Sequence, residues 1–146
     1  GNPEARSLLG KLDANRILRM FHVNAVGPLM VCQAFLELLR HGKSPRILNI
    51  SAASASIGSK TRGGAYSYCG SKAALNMLTR ILAFDVARHG VIAAVTDPGW
   101  VRTDMGGPRG PTSPEEAASR ILGLADRLGP EHAGAFLSLD GSSRPW

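Results

Sequence analysis

Short apolar runs alternate along this chain with longer apolar segments of helical periodicity. The short runs lie at 46–50, 91–95 and 135–139. Glycine, proline or small polar residues flank them, which is typical of buried strands. The longer segments, which predict helices, lie at 14–40, 66–89 and 114–128. Strands that alternate with helices form a parallel sheet, so the sequence predicts an α/β fold with about three strands and flanking helices.

Capping residues mark where the predicted helices begin and end. Asp13 is suited to cap a helix that starts near Ala14, and Gly90 is suited to end the helix that precedes it. Ser113 is followed by a proline and two glutamates, which is the pattern of a helix start with a capping box. Residues 1–12 contain turn formers and predict an irregular lead-in.

The composition is that of a globular protein, because 44% of the 146 residues are apolar and 19% are charged. The formal net charge is +6, but the arginines are spread singly, which argues against specific nucleic-acid binding. We expect no apolar run to span a bilayer and find no signal peptide, so no membrane partner is predicted. Cys32 and Cys69 both fall in helical segments and need no partner, which predicts a reduced, cytoplasmic protein. The length of 146 residues is enough for one domain.

Tyr68 and Lys72 are four residues apart near the start of a predicted helix, so their side chains share one face. An ammonium near a phenol favours the phenolate, so the pKa of Tyr68 is expected to fall below its usual value of about 10. Such a phenol can exchange a proton with a carbonyl or an alcohol near neutral pH. The spacing alone is also typical of a solvated helix face without chemistry.

Asn24 is an isolated polar residue in the apolar stretch 14–40. On one interpretation, its amide satisfies backbone groups at a bend near Gly27 and Pro28. A second feature of the chain is the loop 97–107, which follows the second predicted strand and is rich in turn formers.

The order of these features resembles the short-chain dehydrogenase/reductase family. Tyr68-x-x-x-Lys72 opens a helix after a strand that ends in Asn49-Ile50-Ser51, and Asn24 lies one helix upstream. The next strand is followed by Pro98-Gly99-Trp100-Val101-Arg102-Thr103. Further segments are similar to the C-factor-like branch of that family: 64–68, 71–77, 103–107 and Pro145-Trp146. The resemblance covers nearly the whole chain and implies a Rossmann-like, doubly wound parallel sheet.

The resemblance implies a catalytic role for three residues. Tyr68 would be the acid/base that transfers a proton to or from the substrate oxygen. Lys72 would lower the pKa of Tyr68 and bind the nicotinamide ribose. Asn24 would hold a water in a proton relay to Lys72, which would explain a polar group kept in an apolar helix.

The resemblance also implies a cofactor-binding loop after the second strand. Pro98 and Gly99 would shape this loop, while the backbone of Val101 and the hydroxyl of Thr103 would hold the nicotinamide carboxamide. Residues 106–110 and the helix after them would form a mobile substrate lid. The implied cofactor is NAD or NADP, and no metal ligand is implied.

The predicted helices at 28–40 and 66–88 are apolar on more than one side. One side is expected to pack on the sheet. In the family that the chain resembles, these helices pair across a two-fold axis into a four-helix bundle, so the resemblance implies a homodimer or homotetramer. The implied substrate is a small-molecule carbonyl compound or secondary alcohol.

One site residue departs from the family pattern. The serine that orients the substrate carbonyl is normally second in a small-residue pair after the strand, and that position here is Ala52. Alanine has no hydroxyl to donate, and losing one such donor costs on the order of 10²–10³ in rate. We therefore assign the catalytic hydroxyl to Ser51, with Ser54 as the alternative.

The cofactor-binding half of the family's fold has no counterpart in this sequence. No glycine-rich turn follows a strand and opens a helix, as pyrophosphate binding requires. Residues 1–146 are therefore expected to be the C-terminal part of one Rossmann-fold domain, within a longer protein, and to be inactive alone. The full-length protein is predicted to be an NAD(P)-dependent oxidoreductase, or alternatively a non-catalytic signalling or scaffold protein.

Overall fold

A computed structural model describes residues 8–146 of the protein. The α-helices are α1 (Ala14–Phe21), α2 (Gly27–Arg40), α3 (Tyr66–Ala87) and α4 (Pro114–Arg127). The strands are β1 (Arg46–Ile50), β2 (Ile92–Asp97) and β3 (Phe136–Ser138). Residues 1–7 of the predicted lead-in lie outside the described part, and residues 8–12 form no helix or strand.

The three strands form a parallel sheet in the order β1-β2-β3. Leu48 lies opposite Ala94, and Val95 lies opposite Phe136. The predicted α/β architecture with a three-stranded parallel sheet is confirmed. Within the described residues β1 pairs only with β2 and is therefore an edge strand.

The sheet separates two apolar clusters because neighbouring strand residues point to opposite faces. Ala93 packs with residues of α2 and α3, whereas Ala94 packs with Leu124 of α4 and Leu137 of β3. Helices therefore cover both faces of the sheet, which is the layered arrangement expected of a doubly wound fold.

The predicted strand at 91–95 is displaced in the structure. β2 begins at Ile92 and continues to Asp97, because Thr96 pairs with Ile50 on one side and Asp97 pairs with Ser138 on the other. Local sequence favoured a turn at Asp97, but its pairing with Ser138 of β3 keeps it extended. The third strand is shorter than predicted, since its ladder with β2 covers only Phe136–Ser138.

A π-helical turn at His22–Val26 joins α1 to α2. Pro28 has no N–H to donate to the carbonyl four residues earlier, and its ring crowds that carbonyl. The helix accommodates this by a wider turn, in which the N–H of Gly27 donates to the carbonyl of His22. The predicted bend near Gly27 and Pro28 thus takes the form of a π turn that also contains Asn24.

The predicted helix starts are confirmed at two positions. The side chain of Asp13 accepts a hydrogen bond from the N–H of Arg16. The hydroxyl of Ser113 accepts one from the N–H of Glu116. Each cap satisfies a backbone donor that the first helical turn leaves free. The helix α3 ends at Ala87, slightly before the predicted end at about 89.

The continuous helical segment Ala14–Arg40 corrects our expectation about apolar length. It is 27 residues long and, by length and composition only, is apolar enough to cross a membrane. The expectation was wrong because His22, Asn24 and Gln33 interrupt the apolar run in the sequence, whereas the mean hydropathy over the continuous helix stays high. A helix with one face on the sheet and one apolar outer face has the same composition, so this finding is weak support for a membrane span.

We predict that Leu124→Ala in α4 lowers the free energy of unfolding by about 2–5 kcal/mol, because it leaves a cavity under the sheet. Leu124 is 1% exposed and packs in one of the two apolar clusters. Leu122→Ala is the matched control, since Leu122 lies on the same helix and is 67% exposed. Urea unfolding of the three proteins measures both changes. Equal losses for the two variants would contradict the described packing of α4.

Candidate active site

The candidate site lies where α3 begins, at the carboxyl edge of the sheet. Ala65 precedes the helix with a φ of +53°, and Gly64 before it has a φ of +86°. These left-handed residues turn the chain sharply into α3. The turn places Tyr68 and Lys72 on the first two turns of the helix.

Lys72 reaches from α3 to the end of β1. Its Nζ donates a hydrogen bond of 2.8 Å to the carbonyl oxygen of Ile50, the last residue of that strand. Burial lowers the pKa of Lys72, because the ammonium loses part of its hydration. The ammonium therefore lies at the carboxyl end of β1.

Tyr68 departs from our expectation. Burial raises the pKa of Tyr68 above its usual value of about 10, and the negative charge of Asp97 and the nearby Cys69 raise it further. The predicted fall in pKa was wrong, because the ammonium of Lys72 is engaged with a backbone carbonyl while the phenol is desolvated. In this structure the phenol holds its proton more tightly than a free tyrosine does.

Asn24 reaches across from the π turn to α3. Its Nδ2 donates a hydrogen bond of 3.0 Å to Oγ of Ser71, which in turn donates one of 2.9 Å to the carbonyl oxygen of Tyr68. Ser71 is fully buried and directly precedes Lys72. The amide therefore does more than complete a bend in its own helix, because it connects that helix to the residues that carry the candidate site. A water relay to Lys72 stays a prediction.

Ser51, Ala52 and Ser54, which follow β1, differ in burial and in hydrogen bonding. The N–H of Ser51 donates to the carbonyl of Thr96 at 2.7 Å, and its hydroxyl donates a long bond of 3.5 Å to the carbonyl of Lys72. Ser51 is buried between the sheet and α3, while Ala52 is half-buried and precedes a short 3₁₀ turn at Ala53–Ala55. The hydroxyl of Ser54 is buried and has no hydrogen-bond partner among the described residues.

Asp97 and Arg144 form a charged pair that the sequence analysis missed. Oδ2 of Asp97 lies 3.3 Å from a guanidinium nitrogen of Arg144, and Oδ1 accepts a hydrogen bond from the N–H of Gly99. The same guanidinium donates to Oγ of Ser138 at 3.1 Å. The pair holds the loop after β2 against the end of β3. Its only sequence signal was an acidic residue directly before Pro98, which also fits an ordinary turn.

The loop after β2 is ordered by its own hydrogen bonds. Val101 pairs with Thr112 in an isolated parallel bridge. Oγ1 of Thr103 accepts from the N–H of Gly106, and the Trp100 indole donates to the carbonyl of Gly106. Gly106 is required there, because a Cβ would collide with the carbonyl of Val101. Thr103 is exposed and, as an acceptor in this turn, keeps its hydroxyl proton available to a ligand.

The structure therefore brings Tyr68, Lys72 and Asn24 together around the start of α3. Asp97, near enough to act on Tyr68, closes the strand that leads into the predicted cofactor-binding loop. That loop carries Pro98, Gly99, Val101 and Thr103 on the same edge of the sheet. The hydroxyl of Ser51, by contrast, contacts the backbone of α3.

Comparison with known proteins gives a consistent set of relatives. A family model described as short chain dehydrogenase matches residues 4–113. The chain is 40% identical over 138 residues to C-signal of Myxococcus xanthus, covering 94% of this chain and 83% of that protein. It is 35% identical over 142 residues to 1-hydroxy-2-glutathionyl-2-methyl-3-butene dehydrogenase of Rhodococcus sp. (strain AD45), covering 94% of this chain and 62% of that enzyme.

Solved structures agree with these sequence relatives. The carbonyl reductase Sniffer of D. melanogaster superposes with a TM-score of 0.91 at 30% identity, covering 97% of this chain and 61% of that one. NADPH-bound carbonyl reductase from chicken fatty liver gives a TM-score of 0.87 at 32% identity, with the same coverage of 97% and 61%. The chain thus spans about three fifths of the length of these solved relatives.

We predict that Tyr68 titrates above pH 10 in the folded protein, because burial disfavours its phenolate. The variant Tyr66→Phe leaves Tyr68 as the chain's single tyrosine. Its phenolate absorbance, followed against pH, should have a higher midpoint when folded than in urea. A lower midpoint in the folded protein would restore the original expectation of a phenol activated by Lys72.

The raised pKa of Tyr68 also makes the free energy of unfolding depend on pH in the alkaline range. The pKa of Tyr68 is higher in the folded protein than in the unfolded chain. The contribution of its phenol to the free energy of unfolding is therefore complete below about pH 10 and is lost as the pH rises through the folded pKa. Tyr68→Phe should therefore lose stability less steeply than the parent protein above pH 10, and urea midpoints measured at several alkaline pH values test this.

Proposed function

The chain belongs to the short-chain dehydrogenase family, and on that basis we propose that the protein is an NAD(P)-dependent oxidoreductase that reduces the carbonyl group of a small molecule. The observation that carries the proposal is the pair Tyr68 and Lys72 at the carboxyl edge of the sheet. Their pKa values shift in opposite directions, the phenol upwards and the ammonium downwards. Paired titratable groups perturbed in this way are typical of catalytic sites.

The direction of the Tyr68 shift favours reduction over oxidation. A phenol whose pKa lies above 10 is protonated near neutral pH and can serve as a general acid. Tyr68 would donate its proton to the substrate oxygen as negative charge develops there. Removing a proton from an alcohol would first require the phenol to ionise beside Asp97, which its environment opposes.

Lys72 and Asn24 would support this proton transfer. The ammonium of Lys72, held by the carbonyl of Ile50, places a positive charge at the strand edge where Tyr68 would become negative. Asn24, bonded to Ser71, fixes the π turn against α3 and holds its amide next to that chain segment. We propose that a water bound there returns a proton towards Lys72.

The described residues fit the nicotinamide end of a cofactor. Thr103 offers an exposed hydroxyl, Val101 offers backbone groups, and Lys72 offers an ammonium, all along one edge of the sheet. A bound nicotinamide cofactor would supply the hydride. Within residues 8–146 no glycine-rich strand-to-helix turn is suited to hold its pyrophosphate. We propose that a preceding part of the same domain does so.

Ala52 favours a second candidate function. It stands where the family pattern places a serine hydroxyl, and the neighbouring Ser51 donates to the backbone of Lys72 instead. A protein without that donor would retain the fold and serve as a non-catalytic signalling or scaffold protein. The two candidates differ in whether carbonyl-dependent oxidation of NADPH occurs.

We predict that Tyr68→Phe in the full-length protein lowers carbonyl-dependent NADPH oxidation by about 10²–10⁴-fold, because the general acid is removed. NADPH binding, followed by fluorescence, should be largely retained. Tyr66→Phe is the matched control, since Tyr66 lies two residues earlier and is exposed. Ala52→Ser should raise the rate, by up to about 10²-fold if the new hydroxyl reaches the substrate oxygen.

Absence of NADPH binding by the full-length protein would leave the scaffold candidate. Activity that survives Tyr68→Phe at the level of Tyr66→Phe would contradict the assigned role of the phenol. The chain of residues 1–146 serves as a further comparison, because we propose that it lacks the pyrophosphate contact.

We also propose that the protein is a homodimer or homotetramer that associates through α2 and α3. Both helices expose large apolar side chains at the same spacing of four and then three residues, which forms one stripe on each helix. The stripes consist of Val31, Phe35 and Leu38 on α2 and of Met77, Ile81 and Phe84 on α3. A second copy related by a two-fold axis would cover both stripes.

We predict that Ile81→Glu together with Phe84→Glu converts the oligomer to monomers, because four carboxylates would face one another across a two-fold interface. Sedimentation velocity at micromolar concentration measures the change. Leu122→Glu is the control, since Leu122 is similarly exposed but lies on α4. A monomeric parent protein would contradict the proposal, and association only with detergent or lipid vesicles would favour a membrane role for the segment Ala14–Arg40.

A further inference from the structure

Residues 142–146, the return segment, fold back beside β3. The chain turns at Gly141, whose φ of +91° is a left-handed value that glycine adopts at low cost. The return segment then runs antiparallel to β3, and the N–H of Arg144 donates a hydrogen bond of 2.7 Å to the carbonyl of Phe136. Pairing with β3 therefore fixes where the side chains of Arg144 and Trp146 lie.

Through Arg144, the return segment holds the loop after β2. A guanidinium nitrogen of Arg144 lies 3.3 Å from Oδ2 of Asp97, and Oδ1 of the same carboxylate accepts a hydrogen bond of 3.0 Å from the N–H of Gly99. The Asp97 side chain is only 9% exposed, so without the guanidinium its charge would be buried and unpaired. We therefore expect the carboxylate to move, and to release Gly99, when Arg144 is replaced.

Through Trp146, the return segment holds the residues that follow β1. The carbonyl oxygen of Trp146 accepts a hydrogen bond of 2.7 Å from the N–H of Gly58 and one of 3.3 Å from the hydroxyl of Ser56. The approach is close, because a Cβ on Gly58 would lie 3.2 Å from that carbonyl oxygen. The segment 52–58 held in this way begins with Ala52, at the position where the family pattern places the hydroxyl that orients the substrate oxygen.

Both side chains pack against Phe136 of β3, which is 1% exposed. The Arg144 guanidinium lies 5.7 Å from the centroid of the Phe136 ring, and the centroid of the Trp146 ring lies 5.9 Å from it. On α3, the guanidinium of Arg80 lies 5.1 Å from the centroid of the Trp146 ring. Because a buried, closely packed side chain is a rigid support, the return segment connects both parts of the candidate site to the core.

We propose that the return segment is a positioning element for the reaction, in which Arg144 acts on cofactor binding and Trp146 acts on the placement of the substrate oxygen. The inference rests on the proposed oxidoreductase function and adds two residues to it. Arg144 acts through Gly99 of the loop after β2, and Trp146 acts through the segment 52–58. Such positioning matters because a displacement of about 1 Å can lower a rate about 10²-fold.

Hydrogen exchange of two backbone amides, followed by NMR, tests these contacts without requiring activity. In the full-length protein, Arg144→Met should speed exchange of the Gly99 N–H by at least about tenfold and leave that of Gly58 unchanged, because only the first amide loses its acceptor. Trp146→Ala should have the reverse effect. A general loss of stability would speed both amides in both variants, and that result, or no change at either amide, would overturn the proposal.

Binding and kinetics test the two assigned roles. Arg144→Met should raise the Kd for NADPH, measured by fluorescence, about tenfold, because the loop that holds the nicotinamide is displaced. Its KM for the carbonyl probe 4-nitrobenzaldehyde should change little. Trp146→Ala should lower kcat with 4-nitrobenzaldehyde about tenfold, because the substrate oxygen is misplaced, while the Kd for NADPH stays at the parent value.

Conservative variants separate positioning from a simple loss of structure. Arg144→Lys keeps a positive charge beside Asp97 and should restore part of the affinity for NADPH. Trp146→Phe keeps an aromatic ring against Phe136 and should restore part of kcat. Arg127→Met, which removes an exposed arginine at the end of α4, is the control and should behave as the parent protein.

The outcomes distinguish this inference from the proposed function. An active parent protein whose Kd for NADPH and kcat neither Arg144→Met nor Trp146→Ala changes would refute the inference and leave the proposed function intact. A parent protein that neither binds NADPH nor reduces 4-nitrobenzaldehyde would contradict the proposed function, and the inference would fall with it.

Discussion

The parallel pairing of β1 with β2 determines where the polar groups of the site lie. Ile50 lies opposite Thr96, so both strands end at the same edge of the sheet, and β2 continues to Asp97. α3 follows β1 and presents Tyr68 and Lys72 to that edge. The loop with Val101 and Thr103 leaves from β2 directly beside them. Groups that are distant in the chain therefore meet because parallel strands place their carboxyl ends together.

The electrostatics of this edge follow from burial more than from the pairing of Tyr68 with Lys72. Desolvation is the largest influence on both groups, and it raises the pKa of the phenol while lowering that of the amine. Asp97 adds to the effect on Tyr68. Each shift favours the neutral side chain, so the structure holds a protonated phenol beside an amine that ionises less readily. That combination suits a proton donor.

The helix α3 carries several separate surfaces because side chains radiate from it at 3.6 residues per turn. Its first two turns carry Tyr68 and Lys72, one face packs on the sheet through Ala83 and Val86, and the outer stripe ends at Phe84. Asn76 lies on yet another side, where it lines a cavity together with Trp146 and the segment after β1. The breadth of apolar character along this helix thus reflects several contacts rather than one wide core face.

Much of the fold, and the choice of the candidate site residues, followed from the sequence. The periodicity of 46–50 and of the segment from Tyr66 onwards, the cap at Ser113 and the Tyr68–Lys72 spacing are local signals, and local geometry is enough to interpret them. Tertiary structure alone decided that Asp97 is extended, that Lys72 bonds to Ile50, and that Tyr68 is harder to ionise than a free phenol. Strand pairing and burial depend on residues far apart in the chain, so no local pattern around Tyr68 contains them.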